Sequence, residues 1–214
     1  MNERTPPLVQ PPDADALPGV YQFLAERAVA ALAFDGEVNP TLLMLSVPPG
    51  ATEPAAVCVM DPRLVFAMQR DQSGKEALMA LVRSLLDTDH PVHASVATQM
   101  HAHPNLIVHI SESWMVRRPL ADGGEALVGY KGSLADHPDR TEAITIALHT
   151  LRGTLIGTCP MTRDASGKPA AVIEPLWTGA EGFRGRFTVN NDSRELPHHS
   201  IELVAAPVER GMTQ

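Results

Sequence analysis

Apolar residues recur at helical spacing in the first half of the chain and at every second position in much of the second half. The pattern predicts helices first and strands later. After Pro18, a residue suited to a first helical turn, Val20, Phe23, Leu24, Arg27, Ala28 and Ala31 trace one stripe, and Asp35-Gly36 stops it. Two short strands, Thr41 to Val47 and Ala55 to Met60, flank a Pro/Gly turn region running from Pro48 to Pro54. Asp61-Pro62 opens a short helix over residues 62–70, with a strand at Leu64 to Met68 as the rival reading. Ser73 and Glu76 have the spacing of a capping box, and Leu78, Leu81, Val82, Leu85 and Leu86 follow as a helical stripe. A further turn or two of helix runs from Pro91 toward Met100, and Pro104 bars its continuation.

From residue 105 the period changes to two. Strands are expected over residues 106–117, from Ala126 to Tyr130, over 142–151 and 154–163, from Ala170 to Leu176, and more weakly at Phe187 to Val189 and Ile201 to Val204. Helices early and a meander late predict an α+β fold, with N-terminal helices packed on one face of a mainly antiparallel sheet in a single domain. That domain is expected over residues 17–190. Residues 1–16 read as a flexible N-terminal arm and residues 191–214 as a loosely attached C-terminal tail. With Arg152-Gly153 as a hairpin tip, Leu151 would face Thr154, Ile146 would face Cys159, and Glu142 would face Arg163, a one-residue shift through a glycine bulge being the main rival.

One residue breaks the apolar phase. In the strand from residue 106, one face carries Leu106, Val108, Ile110, Glu112, Trp114 and Val116, and the other carries Ile107, His109, Ser111, Ser113 and Met115. Glu112 thus falls on the more apolar face, where a carboxylate needs a partner to remain ionised. Arg140 and Arg163 are its expected partners. Glu112, Trp114, His137, Asp139, Arg140, Glu142 and Arg163 form a candidate polar site. Glu112 would serve as acid or base and Arg140 as an anion clamp, with His137 a further catalytic candidate. Trp114, Asp139, Glu142 and Arg163 would line a binding surface. The same residues also read as a structural ion-pair network at a sheet edge.

Composition narrows the function classes. The 214 residues suffice for a substantial core. A formal net charge of −8, with Arg117-Arg118 as the densest basic stretch, argues against nucleic-acid binding. Cys58 and Cys159 form neither a disulfide framework nor a metal knuckle, so a reducing cytoplasm is the expected setting. The first residues do not read as a signal peptide, and no apolar run reaches the roughly 18 residues of a membrane span.

His90, His93, His101, His103 and His109 crowd into one stretch. His101-Ala102-His103-Pro104, followed by Ser111, resembles the metal motif of JAMM/MPN⁺ deubiquitinase-type metalloproteases. That resemblance implies zinc ligands at His101 and His103 and an oxyanion-supporting Ser111. It spans residues 101–114 only, and Trp114 stands where the family has its metal-binding Asp. Two ligands fall short of the three a catalytic zinc needs. The leading expectation is therefore a cofactor-free binding or assembly module with an unidentified partner, homo-oligomerisation being a candidate mode. The alternative is a hydrolase-like enzyme using Glu112 with nearby histidines and a metal at His101 and His103.

Overall fold

The computed structural model describes residues 9–70, 72–119, 125–127, 137–176 and 203–204. The elements run α1 (Leu17–Asp35), β1 (Thr41–Ser46), β2 (Ala56–Met60), α2 (Pro62–Gln69), α3 (Gln72–Leu86), α4 (Pro91–Met100), β3 (Leu106–Met115), β4 (Arg117–Pro119), β5 (Glu125–Leu127), β6 (Thr141–Thr150), β7 (Gly153–Arg163), β8 (Pro169–Ala171) and β9 (Leu203–Val204). Seven strands form one sheet in the order β8-β7-β6-β3-β1-β2-β9, paired antiparallel throughout, and β4 with β5 makes a separate ladder. The fold is α+β, as its sequence predicts.

Local chemistry sets several boundaries. Gly36 ends α1 at φ 81°, its amide donating to the Leu32 carbonyl at 2.9 Å. Asp61 caps α2, its carboxylate accepting from the Arg63 amide at 2.8 Å, which favours helix over strand there. The expected Ser73 cap is corrected. Because α3 already begins at Gln72, Ser73 lies in the first turn and the capping position falls at residue 71, outside the described residues.

The helices cover both sheet faces, not the single face expected. Leu17, Val20, Tyr21, Leu24, Ala28 and Leu32 of α1 bury against Leu106, Val108 and Ile110 of β3, Ile144, Ile146 and Leu148 of β6, and Cys159 of β7. On the opposite face, Val65, Leu78, Leu81, Val82, Leu85 and Val96 of α2, α3 and α4 pack on Leu42, Met44, Cys58, Met60 and Ile107. Each fully buried Leu or Ile contributes roughly 1.5–3 kcal/mol of transfer free energy. This double covering explains why β3 is buried on both faces from Leu106 to Ser111, with no clean inside–outside alternation.

The hairpin register also differs from expectation. Thr150 pairs with Gly153, Ile146 with Gly157 and Ile144 with Cys159, two residues away from the predicted partners. Leu151 and Arg152 form the tip. The Thr150 hydroxyl accepts from the Arg152 amide at 3.1 Å and donates to the Gly153 carbonyl at 3.2 Å, closing the turn there. A shift of two leaves every side chain on its predicted face, which is why apolar phase alone did not expose it.

The segment read as an arm is tied down where it is described: Asp13 accepts from the Gly50 amide and the Gln10 carbonyl from Asn105, each at 2.9 Å. Expected strand residues 128–130 and 187–189 lie outside the described residues.

Candidate functional site

β3 is only partly buried from Glu112 to Trp114, and the candidate polar residues gather at that end. Glu112 is half-buried on the α1 side of the sheet. Its carboxylate accepts from the Val38 amide at 2.7 Å, in the loop that follows α1. The hydrogen bond found is thus to a backbone amide and not to the expected arginine, because the chain just past α1 reaches this point of the strand. A charged acceptor satisfies a loop amide that has left the helix, and so joins α1 to the sheet.

Two residues on, Trp114 pairs with Glu142 across β3 and β6. Glu142 makes a two-pronged ion pair with Arg163, Nε to Oε2 at 2.9 Å and Nη2 to Oε1 at 3.0 Å. Arg163 therefore meets Glu142 as predicted, but diagonally, since the register is shifted. This bond, with Glu112 farther off, raises the Arg163 pKa, and the guanidinium is exposed at the surface. His137 to Arg140 forms a turn in which the Arg140 amide donates to the His137 carbonyl at 3.2 Å. The Asp139 amide donates to His137 Nδ1 at 3.1 Å. The turn sets the Arg140 guanidinium over the Trp114 ring, 4.8 Å from its centroid. Trp114 remains 38% exposed, the one exposed tryptophan among the described residues. The structure thus brings Trp114, Arg140, Glu142 and Arg163 together, with Glu112 beside them.

The histidines lie elsewhere. His109 is an odd number of residues from Glu112 and occupies the other sheet face, so the two cannot act on one substrate atom. His93, His101 and His103 belong to α4 and the turn after it. Ser111 is buried in the middle of β3, paired with Thr145, roughly five strand residues or about 17 Å along from the start of the strand. The residues of the metalloprotease motif are therefore spread along a helix end and a straight strand. Among the described residues, no three His, Cys, Asp or Glu side chains converge as a metal site.

A second polar group was not legible as one in the sequence. On the face opposite α1, His109 pairs with Ala147 and His149 with Ile107, so the two imidazoles are diagonal neighbours on β3 and β6. Both are buried. Gln69, at the end of α2, contacts His109 through its amide nitrogen, and His149 Nδ1 lies 2.9 Å from Thr154 Oγ1. Nε2 of His149 is buried without a hydrogen-bond partner. Burial lowers His109 to about 4, and burial with the neighbouring His109 lowers His149 to about 3, so both rings are neutral at neutral pH. Hydroxyl groups continue the row: Ser113 bonds Thr145, and Thr158 donates to Glu174 at 2.8 Å. His149 sits in an apolar run, Ile144 to Leu151, and only the β3–β6 pairing reveals its neighbour.

Comparison of the chain with protein-family models, with curated proteins and with solved structures finds no match.

Proposed function

We propose that this protein is a binding or assembly module that recognises another copy of itself through the surface built on Trp114, without routing recognition through a cofactor. The observation that supports this reading is the half-exposed indole, carrying Arg140 on its face beside the Glu142–Arg163 pair. Tryptophan and arginine are enriched among the residues that dominate interface energetics, the indole because it buries a large rigid area and the guanidinium because it brings several directional donors. Two arginines, Arg140 and Arg163, and two carboxylates, Glu112 and Glu142, give the patch balanced charge. Such a patch can meet its own image about a two-fold axis, acid to base.

Sedimentation velocity of the full chain over a concentration series tests the reading. Self-association should appear, and Trp114→Ala and Arg140→Ala should each weaken it while leaving the melting temperature near the parent value. A chain that stays monomeric throughout, or association indifferent to both substitutions, contradicts it.

A further inference from the structure

Away from the Trp114 surface, on the far side of the sheet, two histidines of the α4 region, His93 and His103, are joined by a hydrogen bond, and a third, His101, stands next to them in the chain. His93 is 1% exposed, and its Nδ1 lies 2.7 Å from the Leu85 carbonyl. A carbonyl only accepts, so this nitrogen carries a proton. His103 Nδ1 stands 3.1 Å from His93 Nε2 in a ring-to-ring hydrogen bond, with the two rings stacked at a centroid separation of 5.4 Å. With Nδ1 engaged by His93, Nε2 is the nitrogen that this exposed ring can offer to a ligand.

His101 supplies the second observation. It occupies the left-handed position that closes α4, at φ 53°, the only residue other than glycine with positive φ among the described residues. Its amide donates to the Thr98 carbonyl, and the next amide, of Ala102, donates to the Ala97 carbonyl, the paired bonds of a Schellman turn. Glycine fills this position at least conformational cost, and a β-carbon there is strained. A histidine in this place keeps an imidazole beside the open pocket of about 340 Å³ that Ala94, Ala97, Thr98, Ala102 and His103 also line. The alanines leave the two exposed rings accessible.

We propose that His101 and His103 bind a late first-row divalent cation, copper(II) above all, with His93 as the positioning residue behind His103. A buried partner that fixes tautomer and ring orientation is what strengthens an imidazole ligand. Two imidazoles with solvent completing the shell suit copper(II), whose affinity for nitrogen donors leads the divalent series, better than zinc, which takes three or four protein ligands. The site differs from a hydrolytic one because neither Ser111 nor an acidic residue joins it, and it stands independently of the reading given for Trp114.

Isothermal titration of Cu²⁺ into the full chain tests the proposal, in a His198→Asn, His199→Asn background that removes the other adjacent histidine pair. One ion per chain should bind, with electron paramagnetic resonance showing hyperfine coupling to imidazole nitrogens. His103→Ala and His101→Gly should each weaken binding about tenfold or more. His101→Gly should at the same time raise the melting temperature, since it removes the left-handed strain, so loss of metal cannot be mistaken for loss of fold. His93→Gln should weaken binding by about tenfold and alter the nitrogen coupling with both ligands still present. Absence of uptake, or equal affinity in the His101→Gly, His103→Ala double variant, overturns the proposal.

Discussion

Acidification should strike this protein through one pair of residues, His109 and His149. In the folded state burial holds them at about 4 and about 3, whereas an unfolded chain returns both to the ordinary value of about 6.5. Between those limits the unfolded chain binds more protons, so stability rises with pH across the window. The contribution of the neutral pair is complete above about pH 6.5 and is lost as pH falls toward the folded values. At about pH 5 an unfolded imidazole gains roughly 2 kcal/mol from protonation that a buried neutral ring forgoes, so the pair together costs about 4 kcal/mol. That is a large share of the 5–15 kcal/mol typical of a folded domain. Urea denaturation at about pH 7 and about pH 5 measures the loss, and carboxylate titration is subtracted by repeating it on His109→Gln, His149→Asn, which keeps polar groups without the titration. The parent should lose about 4 kcal/mol more than the variant over this interval. Equal losses in the two proteins would refute the claim that both rings are buried neutral.

Substitutions at three further positions probe the packing and the Glu112 contact. Gly157 lies directly under the Tyr21 ring, whose hydroxyl donates to the Thr158 carbonyl at 3.1 Å, and a β-carbon there would collide with the ring; Gly157→Ala should cost about 1–3 kcal/mol in chemical denaturation. Leu85, fully buried against the second sheet face, should cost about 2–5 kcal/mol as Leu85→Ala. Glu112→Ala should cost about 1.5–3 kcal/mol by orphaning the Val38 amide, while Glu112→Gln, which can still accept that bond, should cost clearly less; equal costs would mean the amide is not its partner.

The elements were legible wherever the signal was local. Pro18 and Gly36 bracket α1, Asp61 opens α2, and Pro91 opens α4, each through backbone chemistry carried by the residue itself. What escaped reading depended on pairing between distant segments. The β6–β7 register slipped by two because alternation is blind to an even shift, and the hydroxyl of Thr150 decided it. Glu112 stood out correctly as a carboxylate in apolar phase, but its partner is a backbone amide 74 positions away, which no side-chain pattern records. His149 looked like one polar residue in a buried strand until β6 was laid beside β3. Gly157, likewise, reads as a strand glycine and not as the seat of Tyr21, since α1 lies more than a hundred residues earlier.

The proposal that the Trp114 surface meets its own copy is tested most directly by placing a benzophenone amino acid at position 139 of the full chain, exposed in the turn that carries Arg140, and irradiating it in solution. A two-fold contact predicts covalent dimers whose adducts map to the same patch on the other copy, at Glu112, Trp114, Glu142 or Arg163, and whose yield falls when Trp114→Ala is added. Adducts confined to the parent chain, or dimers linked at a different surface, would contradict the account.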